Sequence, residues 1–226
     1  MARLKLLWRN HRGFLLFLGM MFVFRSAVAD WNYVPSSSMN PTLWAGDRVI
    51  VNKLAYDLRV PFTLHTIVRW SEPKIGDVIT FDSPVDDINL IKRVVATGGD
   101  TVAMGNNVLK VNGREVPRTL VAQARAVPTE SGVVDEEIWR ERRTSGDIEV
   151  ARLPSFNRLS SFGPVKVPPG HVMVMGDNRD NSRDSRYIGF IDEDRITGKA
   201  ERVVLSHDPD RLFLPRSDRW WLSLHL

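Results

Sequence analysis

The sequence predicts a mainly β fold with an antiparallel core, a second smaller unit or large insertion in its middle, and one hydrophobic helix at its N-terminus. Three observations carry this. From Gly46 onward, short runs rich in Val and Ile are closed by Gly, Pro, Asn or Asp at close intervals, the pattern of a sandwich or folded-over barrel. Asn112-Gly113 sits between two alternating runs, a strong two-residue hairpin signal. Sustained helical periodicity is confined to the N-terminal segment and one further candidate, VDEEIWRERR at 134–143.

The N-terminal segment comes first. Residues 1–31 hold five basic groups (Arg3, Lys5, Arg9, Arg12, Arg25) against Asp30 alone, and so carry the whole +4 net charge of the 226-residue chain. The remainder is formally neutral. A neutral body offers no electrostatic footprint for DNA or RNA, so no nucleic-acid partner is expected. The uninterrupted apolar run Phe14–Phe24 is eleven residues long, which suits a signal peptide, and Ala27-Val28-Ala29 is an A-x-A cleavage pattern. Read instead as one helix, Phe14–Trp31 spans about 27 Å, enough to cross a bilayer with Arg25 and Trp31 at its outer interface. The segment alone fits a cleaved signal or a retained anchor. In both readings the positive flank keeps the N-terminus cytoplasmic and sends the body across.

The strands follow. DRVIVNKLAY (47–56) has a β-branched centre, and KIGDVITFDSP (74–84) is an apolar run between turn residues. NLIKRVVATGGD (89–100) is closed by a glycine pair, and VLKVNGREV (108–116) contains the hairpin turn. VKVPPGHVMVMGDN (165–178) reads as a strand led in by prolines, and KAERVVLS (199–206) as a later one. Residues 101–164 are more polar and rich in Arg and Glu, so they read as the insertion, with Pro164 and Pro168–Gly170 marking the return.

Chemistry concentrates in three polar clusters at the ends of apolar runs. There is no cysteine, hence no thiolate, and the five histidines are scattered without ligand spacing, so neither a metal site nor a cofactor is expected. Lys92 interrupts LIKRVV: pointing outward it is an ordinary surface lysine, but buried it loses charge preference and can take a proton from a serine. Ser36, Ser37 and Ser38 lie between Pro35 and Pro41, which stiffen the segment; it is either an extended connector or the mount for a fixed hydroxyl. GDNRDNSRDSRYIG (176–189) alternates acids and arginines closely, which makes either a solvated loop or a loop held rigid by charged hydrogen bonds.

Taken together and in order, PSSSMNPTL (35–43), KIGDVITF (74–81), IKRVVATGGD (91–100) and GDNRDNSRDSRYIGF (176–190) resemble the boxes of bacterial signal peptidase I, from about Arg25 to Ala200. That family is a membrane-bound serine protease that removes signal peptides from exported proteins. The resemblance implies an antiparallel β-sheet catalytic core (32–100 and 165–226) with a β-rich insertion (101–164), preceded by a cytoplasmic tail and one transmembrane helix (1–31). It implies an acyl-enzyme mechanism in which Ser38 attacks and Lys92 is the base, with the oxyanion held by the Ser36 hydroxyl and the Ser38 backbone N–H. Ser37 is then a spacer. Ser182 would orient Lys92, and Arg93 with Asp177 and Asp184 with Arg186 would be supporting ion pairs. Val34, Met39, Leu43, Leu90 and Ile91 would line shallow pockets for the small residues of an Ala-x-Ala site. The precursor would lie extended along Val34-Pro35-Ser36 and Asn89–Ile91. The partners implied are signal-peptide-bearing pre-proteins and the lipid bilayer of the bacterial inner membrane, with the catalytic domain on its periplasmic face. Two departures stand out: ATGGD (96–100) lacks the family's proline, and Asn32-Tyr33 are polar where apolar residues are expected. Two other readings are a LexA-like Ser–Lys autoprotease, for which no DNA-binding module precedes the body, and an exported β-rich binding protein with a cleaved signal peptide.

Overall fold

The computed structural model describes residues 2–63, 65–129, 132–153 and 159–225. Residues 130–131 and 154–158 of the expected insertion, and the two terminal residues of the chain, lie outside that description.

Helix α1 runs Ala2–Ala27, and strand β1 (Ala29–Tyr33) follows after a single turn residue. The expected helix Phe14–Trp31 is therefore corrected at both ends. It begins twelve residues earlier and gives way before Trp31, because Ala29–Tyr33 pairs antiparallel with β2 (Asp47–Asn52) in the register Ala29↔Asn52 to Tyr33↔Arg48. Backbone pairing to a strand fixes those residues more firmly than one more helical turn would. No helix among the described residues is long and apolar enough to cross a membrane. The exposed aromatics and aliphatics of Phe14–Phe24 face outward on all sides of α1.

The chain continues through a small hairpin, β3 (Asp57–Arg59) with β4 (Thr66–Arg69), then β5 (Val78–Asp82) and β6 (Asn89–Thr97). Next come β7 (Thr101–Gly105), β8 (Val108–Val111) and β9 (Arg114–Glu115), turned by Asn112 and Gly113, both at positive φ (52° and 75°) as an Asn-Gly hairpin requires. Three longer strands follow: β10 (Arg118–Thr129), β11 (Gly132–Arg143) and β12 (Gly146–Arg152). The helical pattern of 134–143 is overruled here, since β11 is hydrogen-bonded on both edges, to β10 and to β12. Then come β13 (Phe162–Lys166), β14 (His171–Met175), the one-turn helix α2 (Ser185–Ile188), β15 (Ile191–Asp192), the long β16 (Ile196–Asp208), and two short strands, β17 (Leu214–Pro215) and β18 (Leu222–Ser223). The single strand expected over 165–178 is thus two, β13 and β14, split at Pro168-Pro169-Gly170 because proline supplies no ladder donor.

The principal sheet has the order β1-β2-β16-β5-β6-β14-β15, all neighbours antiparallel. β16 holds it together: Ile196–Lys199 pairs with β5 and Lys199–Ser206 with β2, with register shifts within both pairings. At Gly198 an added Cβ would lie 2.7 Å from a Val51 methyl and 2.8 Å from Asn52 O, so only glycine lets β16 cross β2 this closely. A second sheet, β13-β7-β8-β9, and a third, β10-β11-β12, complete the body.

β6 is the spine of the core, and it touches all three apolar clusters. Ile91 packs on the first (Val34, Met39, Leu43, Val49, Val51, Val78, Ala200, Val203 and Leu224), and Leu90 and Val94 on the second with Ile79, Phe81 and Val174. Val95 and Ala96 join the third, where Val102, Met104 and Leu109 attach the second sheet to the first. A strand covered on both faces from Lys92 onward leaves its lysine and arginine nowhere to go but inward.

Candidate active site

Lys92 is 3% exposed, although it lies in the middle of a strand. Its Nζ donates to Ser38 Oγ at 2.8 Å and to Ile91 O at 2.9 Å. Burial pulls the ammonium down from 10.5 to about 8, against the upward pull of Asp184 and Asp177. The outward alternative for Lys92 is thereby set aside. Val94 and Leu90, on the same face as the lysine by strand alternation, belong to a hydrophobic cluster rather than to solvent.

The serine segment is a turn, closed by Asn40 N–H to Ser37 O (3.0 Å) and Leu43 N–H to Met39 O (2.9 Å). Met39 and Leu43 anchor it from beneath at 0% exposure. They and Val34 were expected to line substrate pockets; in this structure they are core, whereas Leu90 and Ile91 are partly exposed. The reason is that Pro35 and Pro41 bound a turn whose apolar side faces the strand β2, so the hydroxyls take the outer side. Ser36 Oγ donates to Ser38 Oγ at 3.3 Å. Among the described residues the Ser38 backbone N–H has no acceptor, and it is free to donate to something outside the chain. Ser37 is more than a spacer: its carbonyl accepts from Asn178 Nδ2 (3.2 Å) and its hydroxyl from Asn181 Nδ2 (3.1 Å).

Behind the pair, residues 176–186 are largely buried, charges included. Arg93 forks onto Asp177, with Nη2 to Oδ2 at 2.7 Å, and reaches Gly76 O at 2.8 Å. Arg186 forks onto Asp184 in the same way, Nε and Nη2 both at 2.8 Å, and Asp184 also accepts from Gly176 N–H at 3.0 Å. Arg93 and Asp177, and Asp184 and Arg186, are thus paired as buried ions. The hydrogen bond expected from Ser182 to Lys92 is not formed: among the described residues the buried Ser182 Oγ has no partner. It lies against Gly176, where an added Cβ would sit 2.2 Å from Ser182 Oγ and 2.4 Å from Ser38 O. The close approach of the Ser38 carbonyl and the Ser182 side chain leaves no room for a side chain at 176.

Two features were not read from the sequence. Glu141 on β11 is buried and shared by Arg179 (2.6 and 2.8 Å) and Arg143 (2.5 Å). Burial raises its carboxyl, but the two guanidinium groups outweigh that and hold it at about 2. Nothing local marks Glu141 among the many charges of 135–143. Asn178 belongs to a run already singled out, but its job comes from the backbone. Its N–H donates to Ser38 O (3.1 Å), while on its other side Ala151 N–H reaches Asp177 O (2.8 Å) and Arg179 N–H reaches Ala151 O (2.9 Å). β12, the 176–186 loop and the serine turn thus form consecutive rungs of one ladder.

A serine hydroxyl in a hydrogen bond with a buried amine that is readily deprotonated has the chemistry of a hydrolase: the amine can take the hydroxyl proton as oxygen attacks a carbonyl. No group of three or more metal-ligating side chains occurs among the described residues. Comparison with known proteins agrees with that class. The chain belongs to the signal peptidase family, peptidase S26, whose model matches residues 7–205. It is 35% identical over 221 residues to signal peptidase I of Pseudomonas fluorescens, covering 92% of this chain and 76% of that one. Against signal peptidase I of Aquifex aeolicus the figures are 36% over 226 residues, 85% and 82%. A crystal structure of a signal peptidase I from Enterococcus faecalis V583 aligns at 25% identity over 57% of this chain and 97% of that one, with a TM-score of 0.35, too loose an overlay for comparing geometry.

Proposed function

We propose that this protein is a membrane-anchored serine endopeptidase that removes signal peptides from exported pre-proteins after small-x-small sites. The observation that carries the reading is the 2.8 Å hydrogen bond between Lys92 Nζ and Ser38 Oγ, with the lysine brought to about 8 by burial. Ser38 Oγ attacks the scissile carbonyl and passes its proton to Lys92. The oxyanion is received by the Ser38 N–H and by the Ser36 hydroxyl, which rotates away from Ser38 Oγ. Lys92 returns the proton to the leaving amine, then takes one from the water that opens the acyl-enzyme. The precursor lies extended between the free edge of Val34–Ser36 and that of Asn89–Ile91. Met39, Leu43 and Val34 form the floor beneath it. Ser182 would act only through Lys92, by turning its unpartnered hydroxyl toward the amine.

Anchoring through α1 is supported by its surface. Nine large apolar residues between Phe14 and Phe24 are exposed, and a helix that is apolar all round has no favourable place in water. At 26 residues it extends about 39 Å. Its apolar part is short, so the flanking Arg12 and Arg25 extend their stems toward the two interfaces. The topology is N-terminus cytoplasmic and catalytic body periplasmic.

The test is processing of a secretory precursor by the detergent-solubilised full chain, beside Ser38→Ala and Lys92→Ala. Both variants should lose processing while still unfolding in one cooperative transition. Near wild-type cleavage by either would refute the assignment, and release of the chain from membranes by alkaline carbonate would refute the anchor.

A further inference from the structure

About 10 Å along β6 from Lys92, a polar clasp joins β1 to β6. The two strands that flank it have free outer edges there: β1 pairs only with β2, and β14 pairs with β6 only from Arg93 onward. Asn32 Nδ2 donates across this gap to Asn89 Oδ1 at 3.3 Å. The Asn89 amide is fixed from behind, its Nδ2 donating to Asp82 Oδ1 (2.9 Å) and Thr197 Oγ1 (3.3 Å), while Thr197 donates onward to Thr80 Oγ1 (2.9 Å). Its carbonyl therefore has one direction to face, toward Asn32. By strand alternation Asn32 lies on the side of Val34, and Asn89 on the side of Ile91, which meet in one apolar cluster. The clasp is thus a polar rim directly above an apolar floor. Beyond it a chamber of about 360 Å³, lined by Ser26, Ala27, Lys53, Asp82 and Thr197 among others, leads to the end of α1.

We propose that the Asn32–Asn89 pair is the specificity-determining contact for the first small residue of the small-x-small site, selecting a hydroxyl side chain over its apolar isostere. This rests on the reading of Ser38 and Lys92 as the reacting pair. A precursor whose apolar segment shares the bilayer with α1 enters from the α1 side, so its upstream residues pass the clasp. Asn89 precedes Lys92 by three residues, which sets it opposite the third residue ahead of the scissile bond. An inserted strand parts Asn32 from Asn89 and leaves one donor and one acceptor without a partner. A Ser or Thr hydroxyl restores both, accepting from Asn32 Nδ2 and donating to Asn89 Oδ1; Ala or Val restores neither. Sites built to hydrogen-bond a substrate reject the analogue that lacks the group, whereas purely apolar pockets discriminate weakly against a hydroxyl.

The experiment compares kcat/KM of the full chain for peptides that differ only at that third position, Thr against Val and Ser against Ala, with the same exchanges at the intervening position as control. Wild type should favour the hydroxyl about five-fold at the third position, the value of one net hydrogen bond, and show no preference at the control position. Asn32→Leu should erase the preference, and so should the shorter Asn32→Ser, which keeps the backbone ladder of β1 and loses the reach. Equal rates for Thr and Val peptides in the wild type, or a preference that survives both substitutions, would overturn the clasp and leave the dyad standing. Failure of the wild type to cleave any of the peptides would overturn both.

Discussion

Replacing Lys92 by methionine should destroy activity and stabilise the protein. The lysine lies 3% exposed in a strand, and burial lowers it from 10.5 to about 8. At pH 7 about one lysine in ten is then unprotonated, against about one in three thousand for an unshifted group, a gain of roughly 300-fold in free base. The same shift has a thermodynamic sign. Between about 8 and 10.5 the unfolded chain holds a proton that the folded chain has released, so stability rises with pH across that window and the full penalty applies below it. At 1.36 kcal/mol per pH unit the penalty at pH 7 is about 3 kcal/mol. Methionine matches the length and carries no charge, so Lys92→Met should recover a sum of that order in urea unfolding at pH 7 and almost none above pH 11. In the wild type, kcat/KM should climb close to ten-fold per pH unit between 6 and 7, bend near 8 and level off by about 9. A flat profile between 6 and 8, a bend near 10.5, or a Lys92→Met protein less stable than wild type at pH 7 would refute the reasoning.

Glu141→Gln leaves Arg179 and Arg143 sharing an uncharged partner in the interior, and should cost about 3–5 kcal/mol in chemical unfolding. Because the Glu141 carboxyl is held at about 2, its contribution is present above its ordinary 4.5 and lost as pH falls toward 2, so the variant should also show a flatter acid limb of stability. Gly176→Ala drives a methyl to within 2.4 Å of Ser38 O; it should lower kcat at least ten-fold with little change in KM, measured on a soluble peptide. Asn178→Ala removes the hydrogen bond to Ser37 O while keeping the backbone rungs, and should reduce kcat several-fold with a loss in stability of about 1 kcal/mol.

What was legible in the sequence was what local chemistry decides. The runs at 47–52, 78–82 and 89–97 are strands because β-branched residues fill them and turn residues end them, and Asn112-Gly113 turns as its positive φ preference requires. The pairing of Ser38 with Lys92 was legible only through resemblance, since fifty-four positions separate them and neither run names the other. Where the reading failed, a partner distant in sequence made the decision. Residues 134–143 have helical spacing but lie between two strands. Ala29–Tyr33 continue an apolar helix in pattern and yet pair with β2. Met39 and Leu43, expected at a surface, became its foundation because the apolar side of β2 lies beneath them. Glu141 had no sequence signal, for its role exists only once Arg179 arrives beside it.

The ladder that runs from Ala151 through Asn178 to Ser38 also bears on timing. The serine turn is made early in the chain, but the rungs that hold it come from strands more than a hundred residues later, the latest kind of contact to form. A chain still being made has its serine long before the residues that hold the serine turn in place. Here the last third of the molecule must arrive before the first third can act.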